Sequence, residues 1–447
     1  MIRSIIPTLA LGAALATPAF AQQRITYAEA LALALAQSST LQRAENDVEL
    51  ARLQVSGART SFLPDLRLSV SGDQSYGRSF SQDEGAVLNE TNESVNGRVS
   101  TSVTLFDGFA NFSELDAAQL GEEAALAELE RTRQTVVFDV ITGFLELIAA
   151  EEQVEVLAEA LAAQEEQESQ VQILVNGGRR PVSDLYQQQA NVAAARVALV
   201  EARRSAQLAE VDLVQILRLD PIAEYQFVAP ALPDSMPASE WTAPGTFAEL
   251  VAAAWQNRRD IVALEQRVGA AEENVDVAQA GRWPSVSLSA SYGSAYTTAS
   301  DFAFDEQLDQ RRGGSIGLGL SVPLFDRGSA SRATEQAELA EQNARLALDD
   351  LRQAVALEVR RAVLDYNAAG ERLAAAQARV VAAQRALSAT EQRYDAGVAT
   401  LLEVTQARAE MTAATSALVN ARYTLLFQEE ALDYYAGELT AEAHIGD

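Results

Sequence analysis

The hydrophobic pattern of this chain changes period from helical to alternating and back, and then does so a second time. The stretch "ITYAEALALA", starting at Ile25, has helical spacing, and Thr26 and Glu29 stand at the T-x-x-E interval of a capping box. The first helix is therefore expected to run unbroken from Thr26 to just before Pro64, where proline ends it. The period then becomes two. Leu66, Leu68 and Val70 alternate with Arg67, Ser69 and Ser71, and Val95, Val99, Val103 and Leu105 alternate with polar positions. This predicts strands at 65–76 and 95–106, each with one apolar and one small polar face. Helical sequence free of proline then runs from about 111 to 175, roughly 95–100 Å of helix. So long a helix belongs to a coiled coil or bundle and not to a compact domain.

About 220 residues later the chain writes the same unit again. "GTFAELVAAA" repeats the capped start with Thr246 and Glu249, and Pro284 stands opposite Pro64. Strands are predicted at 285–296, through Val286, Leu288, Ala290 and Tyr292, and at 314–325, through Ile316, Leu318, Leu320 and Val322. "VTLFDG" matches "VPLFDR", and a second long helix follows from about 330 to 394. Both long helices reverse at a glycine: Gly178 in "LVNGGRRPVSDLYQQQA" and Gly397 in "RYDAGVATLLEVTQARAE". Asp184 and Glu403 lie just past the turns, and Gln187 and Gln406 also match. The helices after the turns carry heptad seams, Leu185, Gln188, Val192 and onward, and Val404, Ala407, Met411 and onward. Alanine fills many seam positions, which lets helices approach closely and suits a wall. The acidic stretches 80–94 and 297–312 between paired strands are expected to be solvated loops.

Before the first unit, Arg3, the apolar "IIPTLALGAALATPAF" and Ala19-Phe20-Ala21 have the form of a secretory signal peptide cleaved after Ala21. The organisation is then signal peptide 1–21, repeat one 22–220, a proline-rich linker 221–245, repeat two 246–437 and a tail 438–447. No cysteine is present, so disulfides, thiol chemistry, Cys-based zinc sites and acylation at an N-terminal cysteine are ruled out. A formal charge of −29 argues against a nucleic-acid partner. The one histidine, His444, sits near the C-terminus, and no zinc-protease, nucleophile-elbow or phosphate-loop motif occurs. No catalytic, metal or cofactor site is expected, and the chain does not read as an enzyme.

No mature stretch reaches the roughly 18 apolar residues of a membrane helix, so membrane insertion would have to use strands. Four strands per chain cannot close a membrane barrel, whose smallest forms have about eight. Two copies would supply eight, a number whose interior side chains fill, and three would supply twelve and leave a lumen. A periplasmic coiled-coil adaptor without a pore is the alternative; it would not need the four alternating strands seen here.

In the order and spacing of these features, the repeat, the "LP" and "WP" strand starts, the "LFDG" and "LFDR" strand ends and the two glycine reversals, the mature chain resembles the TolC-like outer membrane efflux proteins. The resemblance implies an α+β membrane protein. It implies a homotrimer with a 12-stranded β-barrel, four strands per chain, in outer membrane lipid. A long α-helical coiled-coil tunnel continues it into the periplasm, with an equatorial belt and an internal two-fold repeat. It implies an exit duct of a tripartite efflux or type I secretion system, with a periplasmic adaptor (membrane fusion protein) and an inner-membrane transporter of ABC or RND type as partners. It also puts the tip turns, Gly178 and Gly397, at the periplasmic entrance, with Asp184, Tyr394, Glu403 and Gln406 as gate residues. The family's second reversal carries two acids and an arginine; here Gln406 replaces one acid and Ala399 the arginine, for which Arg179 or Arg180 could substitute. Rings of Glu403 and Asp184 would make that entrance attract cations.

Overall fold

The computed structural model describes residues 23–81, 85–228, 245–300 and 302–439. The expected signal peptide with Ala21, linker residues 229–244 and tail residues 440–447 with His444 lie outside the described residues. The first half contains β1 (Gln23–Thr26), α1 (Tyr27–Gln37), α2 (Ser39–Thr60), β2 (Arg67–Ser81), β3 (Ala86–Phe106), α3 (Ala110–Asn176), α4 (Val182–Leu217) and β4 (Tyr225–Val228). The second contains α5 (Phe247–Asn257), α6 (Arg259–Ala280), β5 (Ser285–Thr297), α7 (Phe304–Gln310), β6 (Gly313–Ser321), α8 (Ser329–Asp395) and α9 (Leu401–Ala436). Corresponding helices have equal lengths: 11 residues for α1 and α5, 22 for α2 and α6, 67 for α3 and α8, and 36 for α4 and α9.

The first helix of each half, expected to be continuous, is broken at Ser38 and at Arg258. Both residues are extended, with ψ 119°. Ser38 restarts its helix by accepting the Leu41 amide on Oγ at 3.3 Å. Arg258 instead buries its guanidinium against Asp260, at 3.0 and 2.5 Å, and Glu358, at 2.5 Å. At Ser38 a local side-chain bond offers the backbone an alternative to helix, whereas at Arg258 the buried partners are side chains, one of them remote in sequence; apolar periodicity registers neither.

β2, β3, β5 and β6 form one antiparallel sheet in that order. Its register fixes the faces. Val99, Tyr292 and Gly314 stand in one row, and Thr101, Ala290 and Ile316, then Val103, Leu288 and Leu318, stand in the next. On the other face Ser69, Arg98, Gly293 and Gly313 form a row beside Arg67, Ser100, Ser291 and Ser315. Leu68, Ile316 and Leu318 are all at least 70% exposed, so nothing in the single chain covers the apolar face.

The stretch 80–94, expected as a loop, is mostly strand: β2 reaches Ser81 and β3 starts at Ala86. The outer part of this hairpin pairs polar residues on both faces, with Gln74 donating to Glu93 at 3.0 Å and Ser75 to the Asn92 carbonyl at 3.4 Å. Such strands lack the alternation that would betray them. In the stretch 297–312 the short helix α7 replaces the expected loop, with the buried Gln307 side chain accepting the Thr297 amide at 2.9 Å. β6 ends at Ser321, short of 325, because Pro323 has no N–H for the ladder. The start of the supposed linker contains β4, which pairs in parallel with β1.

The main core gathers around the middle of α3. Val137, Val140, Ile141 and Phe144 are fully buried against α1, α4, β4 and the end of α9. Tyr27 and Phe227 meet the Phe144 ring edge-on at 5.5 and 5.8 Å. Beside them, Phe138 stacks on Tyr434 at 4.4 Å, and the Arg131 guanidinium lies 3.9 Å from the centre of the Tyr434 ring. Further along, the seam residues Leu185, Gln188, Val192, Leu199 and Leu213 of α4, and Val404, Ala414 and Leu425 of α9, are buried as their spacing predicts.

Burial, with Asp433 and Glu429 close by, pushes the Glu430 carboxyl on α9 up to about 7. A carboxyl whose folded pKa exceeds its unfolded one costs nothing while both states are protonated. It destabilises progressively as pH rises from about 4.5 through about 7. Glu430→Gln is therefore expected to raise the thermal unfolding midpoint at about pH 8 and to leave it nearly unchanged at about pH 4.5. An equal effect at both values would contradict this burial.

Candidate functional site

The two glycine reversals have the same backbone solution. Gly178 has φ +70° and Gly397 φ +75°, a left-handed conformation that glycine adopts without Cβ strain. After the first, the Arg179 amide donates to the Leu174 carbonyl at 2.9 Å and the Gly178 amide to Val175 at 3.0 Å. After the second, Val398 donates to Arg393 and Gly397 to Tyr394, both at 2.9 Å. Both are Schellman closures, which satisfy the last carbonyls of a helix.

The helices that follow start differently. Thr400 caps α9 by accepting the Glu403 amide at 3.3 Å, while the Glu403 carboxylate accepts the Thr400 amide and hydroxyl, each at 3.1 Å. These bonds, with Arg393 at 3.3 Å, hold the Glu403 carboxyl below the usual glutamate range. Thr400 and Glu403 carry the same T-x-x-E signature in the sequence as Thr26 with Glu29 and Thr246 with Glu249. At α4 the cap position holds Pro181, which offers no side-chain bond, so Asp184 is not engaged in a capping box. Its carboxylate lies 4.0 Å from Arg180.

The two tips pack on one another. Val171, Leu185, Tyr394, Ala399, Leu401 and Val404 form a small buried cluster, edged by Val175. Ala399, at the expected arginine position, is thus part of a dry contact. Tyr394 is buried in it, and its hydroxyl has no hydrogen-bond partner among the described residues. Tyr394 and Asp184 share a neighbour and no hydrogen bond: the Arg180 guanidinium lies 4.5 Å over the Tyr394 ring while facing Asp184. Gln406 is exposed on α9, one turn past Glu403. The structure therefore brings Asp184, Tyr394 and Arg180 together, pairs Glu403 with Arg393, and leaves Gln406 apart.

A family model described as outer membrane efflux protein matches residues 30–217 and 250–438, most of the chain. The chain belongs to the outer membrane efflux protein family.

Among its relatives is the outer membrane efflux protein BepC of Brucella suis, 25% identical over 76% of this chain and 71% of BepC. Another is the proteases secretion protein PrtF of Dickeya chrysanthemi, 24% identical over 93% of this chain and 88% of PrtF. The outer membrane protein VceC of Vibrio cholerae has the same fold, with a TM-score of 0.78 at 23% identity over 92% of this chain and 96% of that one. This efflux protein is a channel of the outer membrane with its helical tunnel in the periplasm, and not a pore-less adaptor. Its family is a transport family and not an enzyme family. No helix among the described residues is long and apolar enough to cross a membrane.

Because the Thr400–Glu403 box starts α9, Thr400→Val is expected to accelerate amide hydrogen exchange several-fold at residues 401–404 and to leave α4 unaffected. Unchanged exchange at those amides would mean that Glu403 is not occupied by capping.

Proposed function

We propose that three copies of the chain pool their sheets into one twelve-stranded barrel, continued by a tunnel of the long helices and a duplicated repeat in each copy. The observation that carries this reading is a four-stranded sheet with one apolar face and two open edges, β2 and β6. Neither edge can stay unpaired in lipid, and a ring of copies pairs each β6 with the next β2. The apolar rows then face hydrocarbon and the Ser/Gly rows line water. The duct receives cargo from an inner-membrane transporter through a periplasmic adaptor. Relatives named for efflux and for protease secretion fit either kind of cargo.

This facing can be tested on single residues. Leu318→Arg and Val286→Arg are expected to lower outer-membrane yield sharply, since charge on a lipid face costs about 2–4 kcal/mol near midplane. Ser287→Arg, on the polar face, should assemble normally, and cross-linking of the unmodified chain should stop at three copies. Equal yields for the three variants, or a stable barrel of one chain, would overturn the arrangement.

The tip turns at Gly178 and Gly397 form the periplasmic entrance in this reading, with Asp184, Tyr394, Glu403 and Gln406 around it. Arg180 closes it in place of the family's arginine, because it spans Tyr394 and Asp184. Each tip acid has an arginine of its own chain close by, which moderates the cation attraction expected of bare acid rings. Arg180→Ala is expected to raise single-channel conductance in planar bilayers, whereas Tyr394→Phe alone should leave it unchanged, since that hydroxyl bonds nothing among the described residues. The reverse pattern would return the latch to the tyrosine.

A further inference from the structure

The polar face of the sheet holds two guanidiniums that the fold does not use. Arg98 on β3 and Arg311, just before β6, are both exposed and line one recess. Every basic residue of this chain is an arginine, and acidic residues outnumber basic ones 63 to 34. Even so, neither Arg98 nor Arg311 has an ion pair or side-chain hydrogen bond among the described residues. The neighbouring Arg312 by contrast pairs with Asp309 at 2.9 Å. Asp73, two rows outward on the same face of β2, forms no ion pair with either.

The floor of the recess is bare backbone. Gly293 lies directly across from Arg98, and Gly313 across from Gly293. A Cβ on Gly293 would come within 2.5 Å of the Gly97 carbonyl oxygen, so close strand approach holds that position to glycine. A Cβ on Gly313 would meet nothing within 4 Å, so the space above this row is open. Around it stand further donors: the Asn96 side chain, and the Ser291 and Ser315 hydroxyls, which lie 3.1 Å from each other.

Two fork-shaped donors lining one open recess, with amide and hydroxyl groups beside them and no carboxylate among the lining residues, match the requirements of a phosphate or carboxylate group. We propose that Arg98 and Arg311 form a binding site for soluble polyanions, carrying phosphoryl or carboxyl groups, on the wall of the outer part of the duct. Its place on the conduit rests on the reading that the polar face lines the lumen. There each copy contributes one such site, and the three sites bias passage toward anionic cargo.

The test uses the purified trimer in detergent with inorganic pyrophosphate as the probe, read by calorimetry. The unmodified protein should bind it. Arg98→Gln and Arg311→Gln should each weaken binding at least about tenfold, while Arg312→Gln should bind as before. Absence of binding to the unmodified protein, or equal binding by all variants, overturns the site. Displacement of bound pyrophosphate by phosphatidylglycerol vesicles would assign the site to lipid headgroups and overturn the cargo assignment. In planar bilayers, pyrophosphate should block current through the unmodified channel and lose that effect in both variants. The chain has no cysteine, so Ser287→Cys gives a clean check of the facing. Calorimetric binding without block, together with a Ser287→Cys thiol that water-soluble reagents cannot reach in the open pore, would refute the lumenal reading while leaving the anion site intact.

Discussion

The burial of one thirteen-residue stretch of α3, from Val136 to Ile148, is what ties the molecule together. It receives α1, α4 and β4 from its own half and Val419, Tyr423 and Leu426 of α9 from the other. Gly143 lets α4 pack closely there: a Cβ would come within 2.9 Å of Ile216 Cδ1, which would have to shift. A helix of 67 residues has little inherent reason to hold a fixed position among its neighbours. Buried apolar area at this level, about 25 cal/mol per Å2, supplies that reason. From this collar the long helices run one way to the sheet and the other way to the tips. Seams rich in alanine keep them close without a thick core.

The same logic explains why the ends differ in character. At the sheet end the apolar residues face outward, and the chain completes its own backbone bonding only between β2 and β6. At the tip end the apolar residues face inward, in a cluster small enough to be rearranged, while the charged residues around it are paired by arginines. In the proposed duct, a sheet end that meets lipid and a tip end that forms the entrance place different demands on the same chain. Corresponding helices of the two halves have equal lengths, while the strands and several capping positions differ. Pro181 stands against Thr400 at the helix starts after the turns, and Ser38 against Arg258 at the helix breaks.

What the sequence determined by itself was whatever local physics decides. Period two and period 3.6 mark the apolar strand segments and the long helices, because alternate and every-third-or-fourth positions share a face irrespective of the rest of the chain. Gly178 and Gly397 announce left-handed turns because only glycine takes that conformation freely. The tertiary structure decided what depends on partners remote in sequence. The outer hairpin of β2 and β3 is strand because each polar edge found the other. α1 and α2 separate because the collar receives one and the long bundle the other. At the tip, the position of Arg180 relative to Tyr394 was invisible in the chain, since the two lie on different turns and meet only when Val171, Leu185 and Val404 bury together. Arg98 and Arg311 likewise share a recess only through a sheet register that no local pattern encodes: backbone pairing between strands is set by which faces and edges are buried, and those are properties of the assembled sheet.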